Sequence, residues 1–328
     1  MSHFTDELAQ AVRQRGNAVC VGLDPRWEQL PWPITIGREA GDALVSSTST
    51  TKLGRGLIDS AVRARAEAYV DFCTNVIDIV APLVPVVKPQ AAFFEELGPA
   101  GMTALAEVIH YAQERGLLVI LDAKRNDIGS TALGYARGML GRVESAWGAD
   151  ALTVSPYLGE DSLTPFVDVA KERGAGLFVL VKTSNPGGGM LQDLEITPDP
   201  ERAGASRPRR VYNEVASLVE RMSAETAGEC GYGLAGAVVG ATYPEQLAEL
   251  RAAMPHTWFL VPGFGSQGGG AKDVAPAFDS NGLGAVINNS RGIIFAHARK
   301  EYAHKYTEQQ WQKAIERATK DMIEQLAE

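Results

Sequence analysis

The 328-residue chain carries 31 Lys and Arg against 40 Asp and Glu, a net charge of −9, and 45% of its residues are apolar. That acidity, with no Lys/Arg block, argues against a nucleic-acid binder, and no apolar run approaches the length of a membrane span. Cys20, Cys73 and Cys230 lie far apart and form neither a C-x-x-C pair nor a disulfide framework, and the first residues lack a basic start followed by an apolar stretch, so a cytoplasmic protein is expected.

In chain order, a first apolar run at residues 18–23 ends at Asp24. Residues 32–57 follow it, without a clear apolar period and with a Ser/Thr tract at 46–51. Helical periodicity occupies 62–80, and a second run, 84–88, ends in Lys88. A helix at 101–115 leads to the run 117–122, which ends in Asp122. A run at 151–154 has Ser155 behind it; a helix at 162–173 leads to the run 177–181, followed by Thr183 and Ser184. Residues 186–210, rich in Gly, Pro and charge, precede a helix at 212–227. The runs 235–239, 258–261 and 285–287 are followed by Thr242, by the Gly-rich stretch 263–270 and by residues 288–291. A helix at 244–254 separates the first two, and 308–326 reads as a closing amphipathic helix.

Continuous apolar strands alternating with helices predict a parallel sheet covered by helices. Eight such units predict an α/β fold of the (β/α)8 TIM-barrel type, one domain over residues 1–328, with its chemistry at the C-terminal strand ends. An open doubly wound sheet is the alternative. Residues 32–57 and 186–210 are expected to be loop insertions emerging on the catalytic face.

The most informative stretch is 117–131. Five apolar residues lead into Asp122, Lys124 and Asp127, a D-x-K-x-x-D pattern at the end of a buried strand. Alternation puts Asp122 and Lys124 on one face, with Asp127 just past the strand end. A carboxylate and an ammonium on a buried face are costly unless they pair. Such a pair either serves chemistry or merely tidies a strand end.

Residues 122–129 (DAKRNDIG) resemble the signature of the orotidine 5'-phosphate decarboxylases, in their bacterial type 2 branch. Residues 21–26 (VGLDPR), 87–94 (VKPQAAFF), 155–159 (SPYLG), 182–187 (KTSNPG), 262–269 (PGFGSQGG) and 289–292 (NSRG) agree with that branch in the same order. Asn126 and Ser155 depart from it, standing where the branch has Gly and often Asn.

The resemblance implies conversion of orotidine 5'-monophosphate to uridine 5'-monophosphate in pyrimidine biosynthesis, with no metal and no cofactor. Loss of carbon dioxide leaves negative charge on a vinylic ring carbon without an electron sink. An ammonium close by both stabilises that charge and supplies the proton, a role that suits Lys124. Asp122 and Asp127 would keep Lys124 charged. By similarity Lys88 extends the array to Lys–Asp–Lys–Asp, and Asp24 binds the ribose hydroxyls. In the family the second aspartate, here Asp127, and a threonine four residues on, here Thr131, reach across a dimer interface, which implies a homodimer with shared sites.

Thr183 and Ser184 are candidates to read the pyrimidine edge, or else satisfy local backbone. The Gly-rich loop with Gln267, together with Arg291, suits a phosphate, since backbone N–H groups and a guanidinium fork both contact its oxygens. The expected partner is thus a small nucleotide, with no nucleic acid and no membrane. Two alternatives stay open: a metal-dependent sugar-phosphate decarboxylase of a sister family, holding magnesium on strand-end acids, and a silent barrel that only binds nucleotide. The five histidines show no metal-ligand spacing.

Overall fold

The computed structural model describes residues 3–38, 52–197, 209–265 and 269–327, with side chains of the first long helix described from Ser60 onward. Eight parallel strands close into a barrel: β1 (Val19–Leu23), β2 (Val86–Pro89), β3 (Leu118–Arg125), β4 (Ala151–Val154), β5 (Gly176–Lys182), β6 (Ala235–Val239), β7 (Phe259–Val261) and β8 (Ala285–Asn289). Spatial order follows chain order, and β1 pairs with β8 at Val19↔Ile287 to shut the barrel. The TIM-barrel expectation therefore holds and the open sheet is excluded.

The strands read as unbroken apolar runs because both faces are buried. Cys20, Val86, Leu118, Ile120, Ala151, Phe178, Val238, Leu260 and Val286 form one cluster in the barrel interior. The intervening Val19, Val21, Val87, Val119, Leu121, Leu152, Val179, Ala237, Val261 and Ile287 belong to the layer packed under the helices. That layer is covered by α2 (Lys52–Val80), α3 (Gly98–Glu114), α4 (Gly129–Met139), α5 (Glu160–Arg173), α6 (Val211–Ala224), α7 (Pro244–Ala253) and α8 (Trp311–Ala327).

An unforeseen helix, α1 (Phe4–Arg15), plugs the barrel floor. Its Phe4 ring meets Phe178 edge-on at 6.1 Å, and the Thr5 hydroxyl donates to the Tyr232 carbonyl at 2.8 Å. At the opposite end the closing seam is tight. A Cβ on Gly22 would stand 1.8 Å from Ser290 Oγ, so only glycine lets β1 approach the end of β8.

Several boundaries differ from the sequence reading. β3 runs through Arg125 rather than stopping at Asp122, because charged residues continue the strand once their side chains find partners. α2 starts at Lys52, so residues 52–57 of the expected insertion are helical; Trp32–Thr35 adds a single turn, and 39–51 lie outside the described residues. In the stretch 186–210, one short helix (Gly189–Gln192) and a two-residue ribbon joining Glu195–Ile196 to Arg209–Arg210 are described, and 198–208 are not. Among the described residues no helix is long and apolar enough to cross a membrane.

Candidate active site

Strand parity selects the side chains at the barrel mouth. Continuing inward from Val86, Ile120, Ala151 and Val286, the next residues on the same face are Lys88, Asp122, Thr153 and Asn288, all buried. Three of them converge. Lys88 Nζ donates to Asp122 Oδ2 at 2.7 Å and Gln90 Nε2 donates to the same oxygen at 3.1 Å. Lys124 Nζ donates to Asp122 Oδ1 at 2.6 Å, and the Thr153 hydroxyl donates there at 2.9 Å. The Asp122 carboxylate thus accepts four donors, two of them charged, which fills its lone-pair sites.

Charge stabilises this array against its own burial. Burial pushes the Asp122 carboxyl up, but the Lys88 and Lys124 ammonium groups overturn that effect and hold it well below the usual carboxylate range. Burial pulls the Lys88 ammonium down, and the charges of Asp122 and Asp24 carry it well above its ordinary value. Both groups are therefore ionised at neutral pH. Removing Asp122 would leave the buried Lys88 ammonium without its carboxylate, at a cost of about 3–5 kcal/mol, whereas Asp122 keeps Lys124 if Lys88 is lost.

Lys124 differs from Lys88 in exposure and backbone. Its side chain is 48% exposed, against 5% for Lys88. It is the one non-glycine residue with positive φ in the described chain, at 47°, a conformation that costs roughly 1–3 kcal/mol and gathers at functional sites. Strand β3 loses register with β4 between Leu121 and Arg125, and this bulge carries Lys124. Lys124 lines a cavity of about 410 Å³ together with Asp24, Arg26, Gln90, Phe93 and Glu95 among others. Asp24 Oδ1 is buried there without a hydrogen-bond partner among the described residues.

Asp24, Lys88, Asp122 and Lys124 are therefore brought together. The other expected residues sit apart from them. Asp127 does not pair with Lys124 of its own chain; its Oδ1 accepts the Ile128 N–H at 2.8 Å. Thr131, exposed on α4, lines a separate hollow of about 490 Å³ with Arg125, Tyr135 and Trp147. Arg291 opens a short helix (Arg291–Ile294) after β8 and lines a hollow of about 600 Å³ with Gln29, His297 and Arg299, next to the mouth rather than in the Lys124 cavity. Gln267 lies outside the described residues.

At the end of β5 the two hydroxyls separate in role. Thr183 Oγ1 donates to Asn185 Oδ1 at 2.7 Å and accepts from Gln192 Nε2 at 2.8 Å, so it organises the loop. Ser184 makes no such bond among the described residues.

Sequence reasoning did not single out Gln90, Thr153 or Lys182. The first two complete the Asp122 shell. Lys182, 1% exposed, bonds Asp193 at 2.7 Å and lies over the Tyr212 and Tyr243 rings at 5.5 and 5.1 Å. A polar residue at the last inward position of each strand is the signal that finds Thr153, and it becomes readable only once the barrel parity is known.

The fold and the site thus define a protein of the closed (β/α)8 barrel class that carries an ammonium–carboxylate–ammonium array at its mouth. The chain matches the "Orotidine 5'-phosphate decarboxylase / HUMPS family" over residues 17–306. It is 52% identical to an orotidine 5'-phosphate decarboxylase of Rhodopirellula baltica, covering 99% of each chain. It is 40% identical to one of Deinococcus radiodurans, over 89% of this chain and 91% of that one. The solved Leishmania donovani OMP decarboxylase superposes with a TM-score of 0.69 at 32% identity, covering 100% of this chain and 98% of that one. The chain belongs to the orotidine 5'-phosphate decarboxylase / HUMPS family, and within it to the decarboxylases, which are carbon–carbon lyases.

Proposed function

We propose that this protein decarboxylates orotidine 5'-monophosphate to uridine 5'-monophosphate in pyrimidine biosynthesis, without a metal, and that Lys124 protonates C6. The observation that carries this reading is the Lys88–Asp122–Lys124 array, with the Lys88 side chain buried and the Lys124 side chain half-exposed beside the cavity. The C6–carboxylate bond breaks heterolytically, carbon dioxide leaves, and the electron pair stays on C6. The Lys124 ammonium faces that pair and donates a proton to it; solvent restores the ammonium. Asp122 holds Lys124 in place and meets the substrate carboxylate with like charge, while Lys88 keeps Asp122 ionised.

The remaining residues fit the rest of a nucleotide. Asp24 has a buried acceptor, without a partner among the described residues, that suits ribose hydroxyls. Ser184, whose hydroxyl makes no hydrogen bond among the described residues, is assigned to the pyrimidine edge, with Thr183 holding the loop behind it. Arg291 and Gln267 are assigned to the phosphate. Asp127 and Thr131 are assigned to the neighbouring site of a homodimer; exposed Ile128, Tyr135, Tyr157 and Leu158 lie on the same loops and on α4, where a partner would cover them.

The metal-assisted sister chemistry fits less well, because the central carboxylate already accepts two ammonium groups that would repel a cation. Loss of the orotidine monophosphate absorbance, followed with and without a chelator, tests the reading. Equal rates are expected. Activity lost to the chelator would move the protein to the metal-dependent chemistry, and nucleotide binding without turnover would make it a silent barrel.

For the phosphate, Arg291→Ala is expected to weaken uridine monophosphate about tenfold or more, since a charged hydrogen bond contributes roughly 1.5–3 kcal/mol. Uridine affinity should not change. Calorimetric titration of both ligands decides it, and an equal loss for the two would take Arg291 out of the phosphate site.

A further inference from the structure

We propose that Thr153 is a positioning residue for the reaction, its one hydroxyl fixing both the backbone of Lys124 and the carboxylate that holds the Lys124 ammonium. This rests on the reading of Lys124 as the proton donor. β3 and β4 pair regularly up to Leu121↔Leu152, and the next pair is Arg125↔Val154. Three residues of β3, Asp122 to Lys124, thus stand opposite Thr153 alone. The Lys124 N–H donates to Thr153 Oγ1 at 2.9 Å, and that hydroxyl donates in turn to Asp122 Oδ1 at 2.9 Å.

The oxygen that accepts the Thr153 hydrogen bond also accepts one from Lys124 Nζ, at 2.6 Å. A closed circuit results: Lys124 backbone to Thr153, Thr153 to Asp122, and Asp122 back to the Lys124 side chain. It is anchored from outside, because Thr153 is 1% exposed in a regular strand while Lys124 sits in a bulge at φ 47°. A left-handed lysine has no local reason to stay there. Thr153 supplies one, as both acceptor and donor, and so determines where the ammonium points. The contact with substrate is made by Lys124; Thr153 acts through it.

Thr153→Val and Thr153→Ser separate this role from packing. Valine keeps the shape and deletes the hydroxyl; serine keeps the hydroxyl and deletes a methyl. Misplacing a reacting group by about 1 Å costs about a hundredfold in rate, so kcat of the valine variant should fall by about that factor while KM stays within about twofold. The serine variant should remain near the parent. A packing role predicts the reverse order. Parent-like kcat in folded Thr153→Val overturns the proposal.

A crystal structure of Thr153→Val reads the backbone independently of activity. Lys124 is expected to leave the left-handed region; a Lys124 that keeps it, with Nζ still on Asp122, also overturns the proposal. Should valine prevent folding, Thr153→Ala against Thr153→Ser differs by the hydroxyl alone and carries the same comparison. A parent enzyme without decarboxylase activity would refute the proposed function instead, and the backbone readout would still decide the role of Thr153.

Discussion

Lys124→Ala is expected to leave a folded protein whose turnover of orotidine 5'-monophosphate is at least about 10⁴-fold slower than the parent's. The size follows from two contributions lost together: general acid catalysis, typically about 10²–10⁴-fold, and a preorganised charge at the developing anion, about 10²–10³-fold. The fold persists for structural reasons. The side chain is 48% exposed and contributes little to the core. Asp122 keeps Lys88, Gln90 and Thr153 as donors, so no charge is stranded. Alanine meets the same backbone cost at φ 47° as lysine does. The melting temperature should therefore move by less than about 3 °C. Single-turnover absorbance and a thermal melt check both halves, and activity near the parent's would remove Lys124 as the acid.

Mixing inactive Lys124→Ala subunits with inactive Asp127→Ala subunits is expected to restore about a quarter of parental activity. Within one chain Asp127 spends an oxygen on the Ile128 N–H and does not reach Lys124. The segment after it exposes Ile128 at 55%, and the neighbouring loop exposes Tyr157 at 77%, apolar surface of the kind a partner covers. A two-fold interface would bring Asp127 and Thr131 of each barrel to the other's mouth. In a mixed dimer one site then carries both defects and the other carries neither. Random reassortment makes about half the dimers mixed, and half of their sites are intact. Differently tagged subunits report the exchange. Exchange without recovery would show that each barrel uses its own Asp127.

Much of this molecule was legible before its structure, and the exceptions have physical causes. All eight barrel strands announced themselves because a doubly buried strand is a continuous apolar run. Their ends were less visible: β3 and β8 continue through Arg125 and Asn289, polar residues that a hydrophobic criterion cuts off. The helix α1 escaped notice although Phe4, Leu8, Ala9 and Val12 follow a helical period, since it precedes the strand–helix alternation that guided the reading.

In the site, Lys88, Asp122 and Lys124 stood out as charges terminating apolar runs. Thr153 did not, because threonine is an ordinary strand residue, and only the register of β3 against β4 reveals what its hydroxyl touches. Thr183 directly follows the end of β5, but its bonds to Asn185 and Gln192 depend on how a distant part of the loop folds back. The residues assigned to a second subunit depend on a chain that one sequence cannot place.

The closing seam has a consequence for synthesis of the protein. Val19, Cys20 and Val21 of β1 pair on one side with Ile287, Asn288 and Asn289 of β8, drawn from opposite ends of the chain. A nascent chain therefore carries β1 with one unpaired, apolar edge until nearly all the other strands have emerged, the condition in which sheet edges recruit wrong partners. The Lys88–Asp122 pair bridges the neighbouring strands β2 and β3, both translated early, yet the barrel around it stays open until β8 docks and Ser290 settles over Gly22. A ribosome stalled before the last strand therefore holds no partial enzyme: the charges are already on the chain, but they remain in water.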